Sequence, residues 1–569
     1  MKKIALALLI FFALFLRTYH ISQVPPALSW DEVSIGYNAY NILKTARDEH
    51  GRFFPIDTFV AYGDYKPPLA IYLTVPSIAL FGLSEFGVRF PSAFFGTLTV
   101  LMTYFLVKEL FRRTKNHEPA TSNQQPATKN LPLLSAALLA LSPWHINLSR
   151  AGFEANIALF FIVLGVYFIL LAREKYKYWY VAWVPFVASI YTFNSARYFT
   201  PLFAIVLCIF VRKDIRQYWK ACSIGVIVAL MCLLPIIPHL VSKEARLRFA
   251  EVNIFTDNSV VVTSNERIAY DKNSMIGKIL HNRRVGFALS YLRHFADNLQ
   301  PSFLFIQGDG NPKFSTRVVG QLYIIEAPLL AIGIFSMFAL YPQVAWILLF
   351  WIILAIVPAA TARETPHALR ILNSLPAWQI FIAYGILSIP VYIKQLRTKN
   401  PALPAGRHEP ATTNQQPYLI IYMFLLVAIY AFSFGYYLHN YYSHYATKYS
   451  GEWQYGYREA ILAAQAIDGS YDTIYLTSSI GRPYMYTLFY TRYDPIAFMR
   501  TKDTSFDTAG FYHVNGFGKY RFVDSMPVGG LKTKTLYITD PDWVPGDARI
   551  LRTITLLDGT KRLILFDKP

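Results

Sequence analysis

Apolar runs too long for a water-soluble core recur along most of this chain. Two of them, LYIIEAPLLAIGIFSMFALY (322–341) and VAWILLFWIILAIVPAA (344–360), are separated only by Pro342 and Gln343. A bilayer core takes about 20 apolar residues of helix per crossing, so each such run predicts one span. Composition agrees: 54% of the 569 residues are hydrophobic and only 16% are charged, against about 25% charged in soluble proteins. The expected fold class is a polytopic α-helical membrane protein.

The net charge of +19 invites a nucleic-acid reading, but the cations are not spread over one surface. They cluster at the ends of apolar runs: Arg112, Arg113 and Lys115; Arg173, Lys175 and Lys177; Arg212, Lys213, Arg216 and Lys220; Lys394, Arg397 and Lys399. This is the positive-inside pattern of a membrane protein, and nucleic acid is excluded as a partner. The opening run MKKIALALLIFFALFL lacks a small-x-small cleavage site, so it is expected to be an uncleaved first helix with its N-terminus in the cytoplasm. Alternation then gives about 11 transmembrane helices, near 4–20, 87–111, 131–148, 154–172, 178–193, 198–211, 221–240, 321–341, 343–361, 371–393 and 418–437. The segment 69–83 reads as a shallow helix.

The expected domains are a transmembrane unit over 1–437 and an extracytoplasmic α/β domain over 438–569. The transmembrane unit has outside loops at about 21–86 and 241–320 and cytoplasmic insertions at about 114–130 and 399–417. The insertions carry nearly the same text, HEPATSNQQP (117–126) and HEPATTNQQP (408–417), which is polar and occurs only twice. It reads as disordered and non-catalytic. In the C-terminal domain, 451–467 predicts an amphipathic helix, while DTIYLT (472–477), TLYITD (535–540) and RLILFD (562–567) predict strands. SSIGRP (478–483) reads as a turn. Cys208, Cys222 and Cys232 have no metal or redox spacing.

On this topology the informative polar residues fall on the outer side. Asp31, Glu32 and Lys66 lie in the first outside loop, and Arg89 opens the second span. Arg150 and Glu154 flank the turn between the third and fourth spans. Arg197 lies between the fifth and sixth, and His367 and Arg370 between the ninth and tenth. Ionisable groups at membrane depth are expensive and point to function, and short outside loops are expected to be poor in arginine. Cations suit a phosphate or diphosphate, a carboxylate can take a proton from an incoming hydroxyl, and Trp30, Tyr37, Tyr62, Tyr65 and Tyr198 suit sugar rings. The pattern points to group transfer from a lipid-linked phosphate at the outer face. No His/Cys/Asp cluster has metal-ligand spacing, so no cofactor or metal is expected to be required.

Four segments, LSWDEVSIGYNAYNI (28–42), YKPPLAIYL (65–73), FGVRFPSAFFGTL (86–98) and SRAGFEANIALFF (149–161), occur in an order and at distances that resemble GT-C glycosyltransferases of family 39. YTFNSARYFTP (191–201) and TPHALRILNSLP (365–376) resemble motifs of bacterial members. That family includes protein O-mannosyltransferases and aminoarabinose transferases. The resemblance implies a GT-C fold and transfer of a hexose or pentose from a polyprenyl-phosphate sugar to a lipid, glycan or protein hydroxyl acceptor. It further implies inversion at the anomeric carbon and a multi-pass enzyme of the plasma membrane. It assigns Asp31 as catalytic base, Glu32 to donor or acceptor orientation, Lys66 to the donor phosphate, and Glu154 to the second acidic position, where aminoarabinose transferases carry aspartate. Arg89, Arg150, Arg197, His367 and Arg370 follow from topology as further donor or acceptor contacts. A transporter or flippase would place polar groups at mid-span. A polymerase or ligase also uses lipid-linked donors, but the acidic pair directly after the first span favours the transferase.

Overall fold

The structure, a computed structural model, describes residues 1–112, 125–242, 253–398, 416–506, 512–526 and 530–568. The two copies of the repeated insertion text lie almost wholly outside the described residues. The first apolar run forms helix α1 (Lys2–Thr18). A connector with no regular structure leads to α2 (Trp30–Thr45), which opens on a capping box. Ser29 Oγ accepts from the Glu32 N–H, and the Glu32 carboxylate accepts from the Ser29 N–H. This reciprocal pairing satisfies two of the donors a helix start leaves open.

Beyond α2 the chain forms the antiparallel hairpin β1 (Phe59–Ala61) and β2 (Asp64–Lys66). It then forms α3 (Leu69–Phe81), whose 13 residues reach only about 20 Å and do not cross a bilayer. Beyond it run α4 (Glu85–Leu110), α5 (Gln125–Leu141), α6 (Pro143–Arg150) and α7 (Glu154–Ala172). Two expected single spans are broken. The run at 131–148 bends by 57° between α5 and α6, because Pro143 offers no N–H to continue the ladder and Ser142 caps a new helix. The run at 178–193 divides into a 3₁₀ turn, Tyr176–Tyr180, and a short helix, Val184–Ile190, restarted at Pro185.

Among the described residues five helices are long and apolar enough to cross a membrane, six if the bent pair is one span. The apolar helices Leu69–Phe81, Ala196–Phe210, Glu326–Leu340 and Ala377–Ile393 are shorter. The chain is a multi-pass membrane protein. Two of its helices, Glu326–Leu340 and Ala377–Thr398, touch backbone to backbone. A Cβ on Gly333 would lie 1.9 Å from the Phe381 carbonyl oxygen, and one on Gly385 would lie 2.0 Å from that of Leu329. Small residues permit this approach where lipid offers no hydrophobic drive to pack helices.

The last apolar helix, Gln416–Asn440, passes through a π-helical turn, Tyr441–Tyr445, and ends at Tyr449. The polar domain therefore begins beyond Tyr449 and not at 438. The amphipathic helix expected at 451–467 is confined to Tyr457–Gln465, because Gly456 (φ 113°) interrupts it. Seven strands form one mixed sheet in the order β4-β5-β6-β3-β7-β9-β8. These are β3 (Thr473–Thr477), β4 (Asp503–Phe506), β5 (Tyr512–Phe517), β6 (Tyr520–Val523), β7 (Thr535–Thr539), β8 (Arg549–Thr555) and β9 (Lys561–Asp567). The three segments read as strands are β3, β7 and β9, and β3 runs parallel to both β6 and β7.

This sheet domain has no core of its own on the side that meets the membrane unit. Val33 and Tyr37 of α2, Ile71 of α3 and Val88 of α4 share one apolar cluster with Ile461, Tyr484, Phe489, Phe517 and Leu565. Burial of large apolar side chains is worth about 1.5–3 kcal/mol each, so the first loop and the last domain stabilise one another. A Gly385→Ala variant is expected to lose about 1–3 kcal/mol of stability, because the clash is with main chain that has no room to shift. Thermal unfolding of the purified protein in detergent measures this.

Candidate active site

Asp31 and Glu32 occupy the first turn of α2, where successive side chains diverge by about 100°. Glu32 turns inward and is fully buried. Its Oε1 accepts from Arg89 Nε (2.8 Å) and the Gly152 N–H (2.8 Å), and its Oε2 accepts from the Ser29 N–H (2.9 Å). Asp31 turns outward, and its side chain keeps 38% of its exposure. Adjacent acids of the same chemistry thus have opposite surroundings.

Arg89 is also fully buried. Besides Glu32 it donates to the carbonyls of Ile21 and Pro25 (both 2.8 Å) and Ala27 (2.5 Å). Arg150 donates to the carbonyls of Leu16 (2.6 Å), Tyr19 (2.7 Å) and Val24 (2.9 Å), and to the Tyr441 hydroxyl (3.2 Å). Its guanidinium also lies over the rings of Tyr441 and Tyr442, 5.2 Å from each. The segment between α1 and α2 is largely buried and has no ladder of its own, so its carbonyls need donors from elsewhere. The two arginines supply them. Through these hydrogen bonds Glu32, Arg89 and Arg150 hold the connector and α2 in place.

The groups that meet at the open face are Asp31, Lys66 and Glu154. Lys66, at the end of β2, places Nζ 2.8 Å from Asp31 Oδ1 and 3.2 Å from Glu154 Oε1. Glu154 opens α7. Lys66 and Glu154 are largely enclosed, with side chains 8% and 12% exposed, so the trio opens outward through Asp31. With both carboxylates ionised, these three side chains carry one net negative charge. Among the described residues no group of three or more His, Cys, Asp or Glu side chains is arranged to hold a metal ion.

His367 and Arg370 lie on a neighbouring loop, and Arg197 adjoins it. Ser195, two residues before Arg197, donates to the Arg370 carbonyl (3.2 Å). The His367 ring is buried against Phe314, with centroids 4.7 Å apart, and Phe314 meets Phe153 at 5.5 Å. Burial holds the His367 imidazole well below its ordinary range, so it is neutral and brings no positive charge. Asp309 ties its own loop to this one: its carboxylate accepts from the Ala368 N–H (2.6 Å) and the Asn311 N–H (2.8 Å). Burial raises the Asp309 carboxyl to about 6 against the pull of those donors.

Sequence reasoning counted Lys313 among the eleven basic residues of the 241–320 segment without singling it out. Its Nζ lies 4.6 Å from the centroid of the Trp30 ring, one residue from Asp31. It missed the contribution of the C-terminal domain. The turn at 478–483 puts Gly481 against Trp30, sets the Arg482 guanidinium 5.0 Å from the Tyr62 ring, and is held by Thr477 and Ser479 hydroxyls donating to Asp540 (3.0 and 2.9 Å). Tyr62 in turn donates to the Trp30 carbonyl (2.8 Å).

Residues 65–117 match the family described as dolichyl-phosphate-mannose-protein mannosyltransferase. No curated protein matches the chain. Among solved structures, ArnT from Cupriavidus metallidurans matches in its apo state at 13% identity and bound to undecaprenyl phosphate at 12%. Both have a TM-score of 0.52 and cover 98% of this chain and 97% of theirs. The archaeal oligosaccharyltransferase AglB from Archaeoglobus fulgidus, in complex with an inhibitory peptide and a dolichol-phosphate, matches at 14% identity and a TM-score of 0.47. That match covers 85% of this chain and 63% of AglB, so the chain spans less than two thirds of AglB's length. The chain has the membrane fold seen in ArnT.

Arg89→Met is expected to destabilise the protein by about 3–5 kcal/mol, because it leaves the Glu32 charge buried and unpaired. The double variant Glu32→Leu/Arg89→Met is expected not to recover this loss, since the carbonyls of Ile21, Pro25 and Ala27 stay without donors. Thermal melts of both variants in detergent decide between a scaffold role and ligand contact.

Proposed function

We propose that this chain is a GT-C glycosyltransferase of the family 39 type. It moves one monosaccharide from a polyprenyl-phosphate carrier to a lipid, glycan or protein hydroxyl at the extracytoplasmic face. The observation that carries this reading is the Asp31–Lys66–Glu154 cluster, open on the Asp31 side. The mannosyltransferase family match begins at Tyr65 and includes Lys66, and ArnT, whose fold the chain shares, binds undecaprenyl phosphate. The eleven-span topology, with the N-terminus in the cytoplasm and the C-terminal domain outside, belongs to the same proposal.

In the proposed reaction the acceptor oxygen attacks the anomeric carbon from the face opposite the phosphate, which inverts that centre. Asp31 accepts the hydroxyl proton as the new carbon–oxygen bond forms. The bond from anomeric carbon to phosphate oxygen breaks, and its electron pair leaves on the polyprenyl phosphate. Lys66 orients Asp31 through their ion pair. Glu154 fixes the other side of that ammonium and so sets its direction. A monophosphate leaving group can be held by lysine and arginine side chains.

Asp31→Asn is expected to preserve the fold, because the cap of α2 is made by Ser29 and Glu32 and not by Asp31. It is expected to retain donor binding while turnover falls by about 10² to 10⁴, the usual worth of a general base. The assay incubates purified protein and membranes with a panel of radiolabelled polyprenyl-phosphate sugars and follows the label. Turnover within a few-fold of wild type would refute the assignment. For topology, single cysteines replacing Ala120 and Ala411 in a background without native cysteines should label only from the cytoplasmic side. One replacing Arg500 should label only from the other. Labelling of positions 120 and 500 from one side would require an odd change in span number.

A further inference from the structure

The trio at the open face has one ammonium for two carboxylates, which is a poor reception for an anionic phosphate. Lys313 offers a second cation at the same place. It belongs to a tightly built turn, where Asp309 accepts from the Asn311 and Ala368 N–H groups. The Pro312 carbonyl takes the Tyr445 hydroxyl at 2.7 Å, and the Lys313 N–H donates to Asn311 Oδ1 at 3.0 Å. Phe314 is fixed against His367 and Phe153. The backbone under Lys313 is therefore positioned from four directions.

The side chain is not paired in the same way. Nζ lies over the Trp30 ring and donates one long hydrogen bond, 3.4 Å, to Gln454 Oε1. Among the described residues it is within ion-pair distance of no carboxylate. Burial pushes this ammonium below the ordinary lysine value, against the pull of Asp31, Glu452 and Glu32. A half-buried cation on an aromatic face, held near Asp31 but not neutralised by it, is arranged to receive an anion. Cation–π contact keeps the charge in place without consuming its hydrogen-bond donors.

We propose that Lys313 is a binding residue for the leaving phosphate: its ammonium contacts the phosphate oxygens of the polyprenyl-phosphate donor and product, as a second cation beside Lys66. This rests on the transferase reading above. It assigns the charge of the leaving group to the 309–315 turn, which the sequence motifs do not include.

The test measures the affinity of full-length protein, in lipid nanodiscs, for a polyprenyl phosphate and for the matching uncharged polyprenol. Wild type should prefer the phosphate. Lys313→Met and Lys313→Gln should each lower affinity for the phosphate by about 10- to 100-fold, the usual worth of a hydrogen bond to a charged group. Both should leave affinity for the polyprenol unchanged, and Lys313→Arg should restore most of the preference. Because the readout is a difference between two ligands on one variant, a general loosening of the site moves both arms and cannot imitate it. If either variant weakens both ligands equally, or neither, the role of Lys313 is overturned while the transferase reading stands. If wild type itself does not distinguish phosphate from alcohol, the transferase reading falls and this proposal with it.

Discussion

The buried pair of Glu32 and Arg89 is the contact on which the placement of the site depends. An ion pair out of water is stabilising only when its remaining donors and acceptors are satisfied, and here they are. Glu32 takes the Gly152 and Ser29 N–H groups besides Arg89, and Arg89 serves three carbonyls besides Glu32. One pair therefore joins α2, α4, the turn before α7 and the connector after α1. Arg150 extends the same arrangement by serving three more carbonyls of that segment. Irregular backbone at this depth is tolerated because side chains complete its hydrogen bonds.

Asp31 depends on this arrangement although it touches none of it directly. The helix start that fixes Glu32 inward leaves its neighbour facing outward, where Lys66 and Glu154 approach from β2 and α7. The C-terminal domain adds the outer wall. Tyr486 donates to the Leu28 carbonyl (2.9 Å), Tyr490 to Glu85 (3.2 Å) and Tyr37 of α2 to the Tyr493 carbonyl (3.0 Å), so the start of α2 is held from above as well as below. A domain that composition separates from the membrane unit is, in packing terms, one half of the same core.

Much of this was legible in the sequence. Apolar length marked the helical membrane segments, though not their breaks or number, and period and turn residues marked β3, β7 and β9. The motifs around Asp31, Lys66 and Glu154 singled out three residues that the structure brings together. What was hidden has physical reasons. An arginine that serves carbonyls and one that serves a phosphate use the same donors, so the carbonyl partners of Arg89 and Arg150 could not be read from the sequence. Asp31 and Glu32 differ only in direction, which sequence spacing cannot weigh without the buried partner on the other side. Arg17 gave no signal at all inside an apolar run, yet it is buried with its guanidinium 2.7 Å from His145 Nδ1. Lys313 was lost among many scattered cations because its meaning comes from Trp30, far away in the chain. The break at Ser142–Pro143 was readable from Pro143, but apolar length outweighed it.

The shared core has a consequence for how the protein is made. Val33, Tyr37 and Ile71 are synthesised several hundred residues before much of the apolar surface that covers them, Tyr484, Phe489 and Phe517 among it. Throughout synthesis of the intervening helices, α2 and α3 present a face whose partner does not yet exist. The cluster of Asp31, Lys66 and Glu154 can be assembled once α7 is inserted, but its outer wall waits for the sheet domain. Order of synthesis thus separates the chemistry of the site from its enclosure, and a chain interrupted before the sheet domain would carry the first without the second.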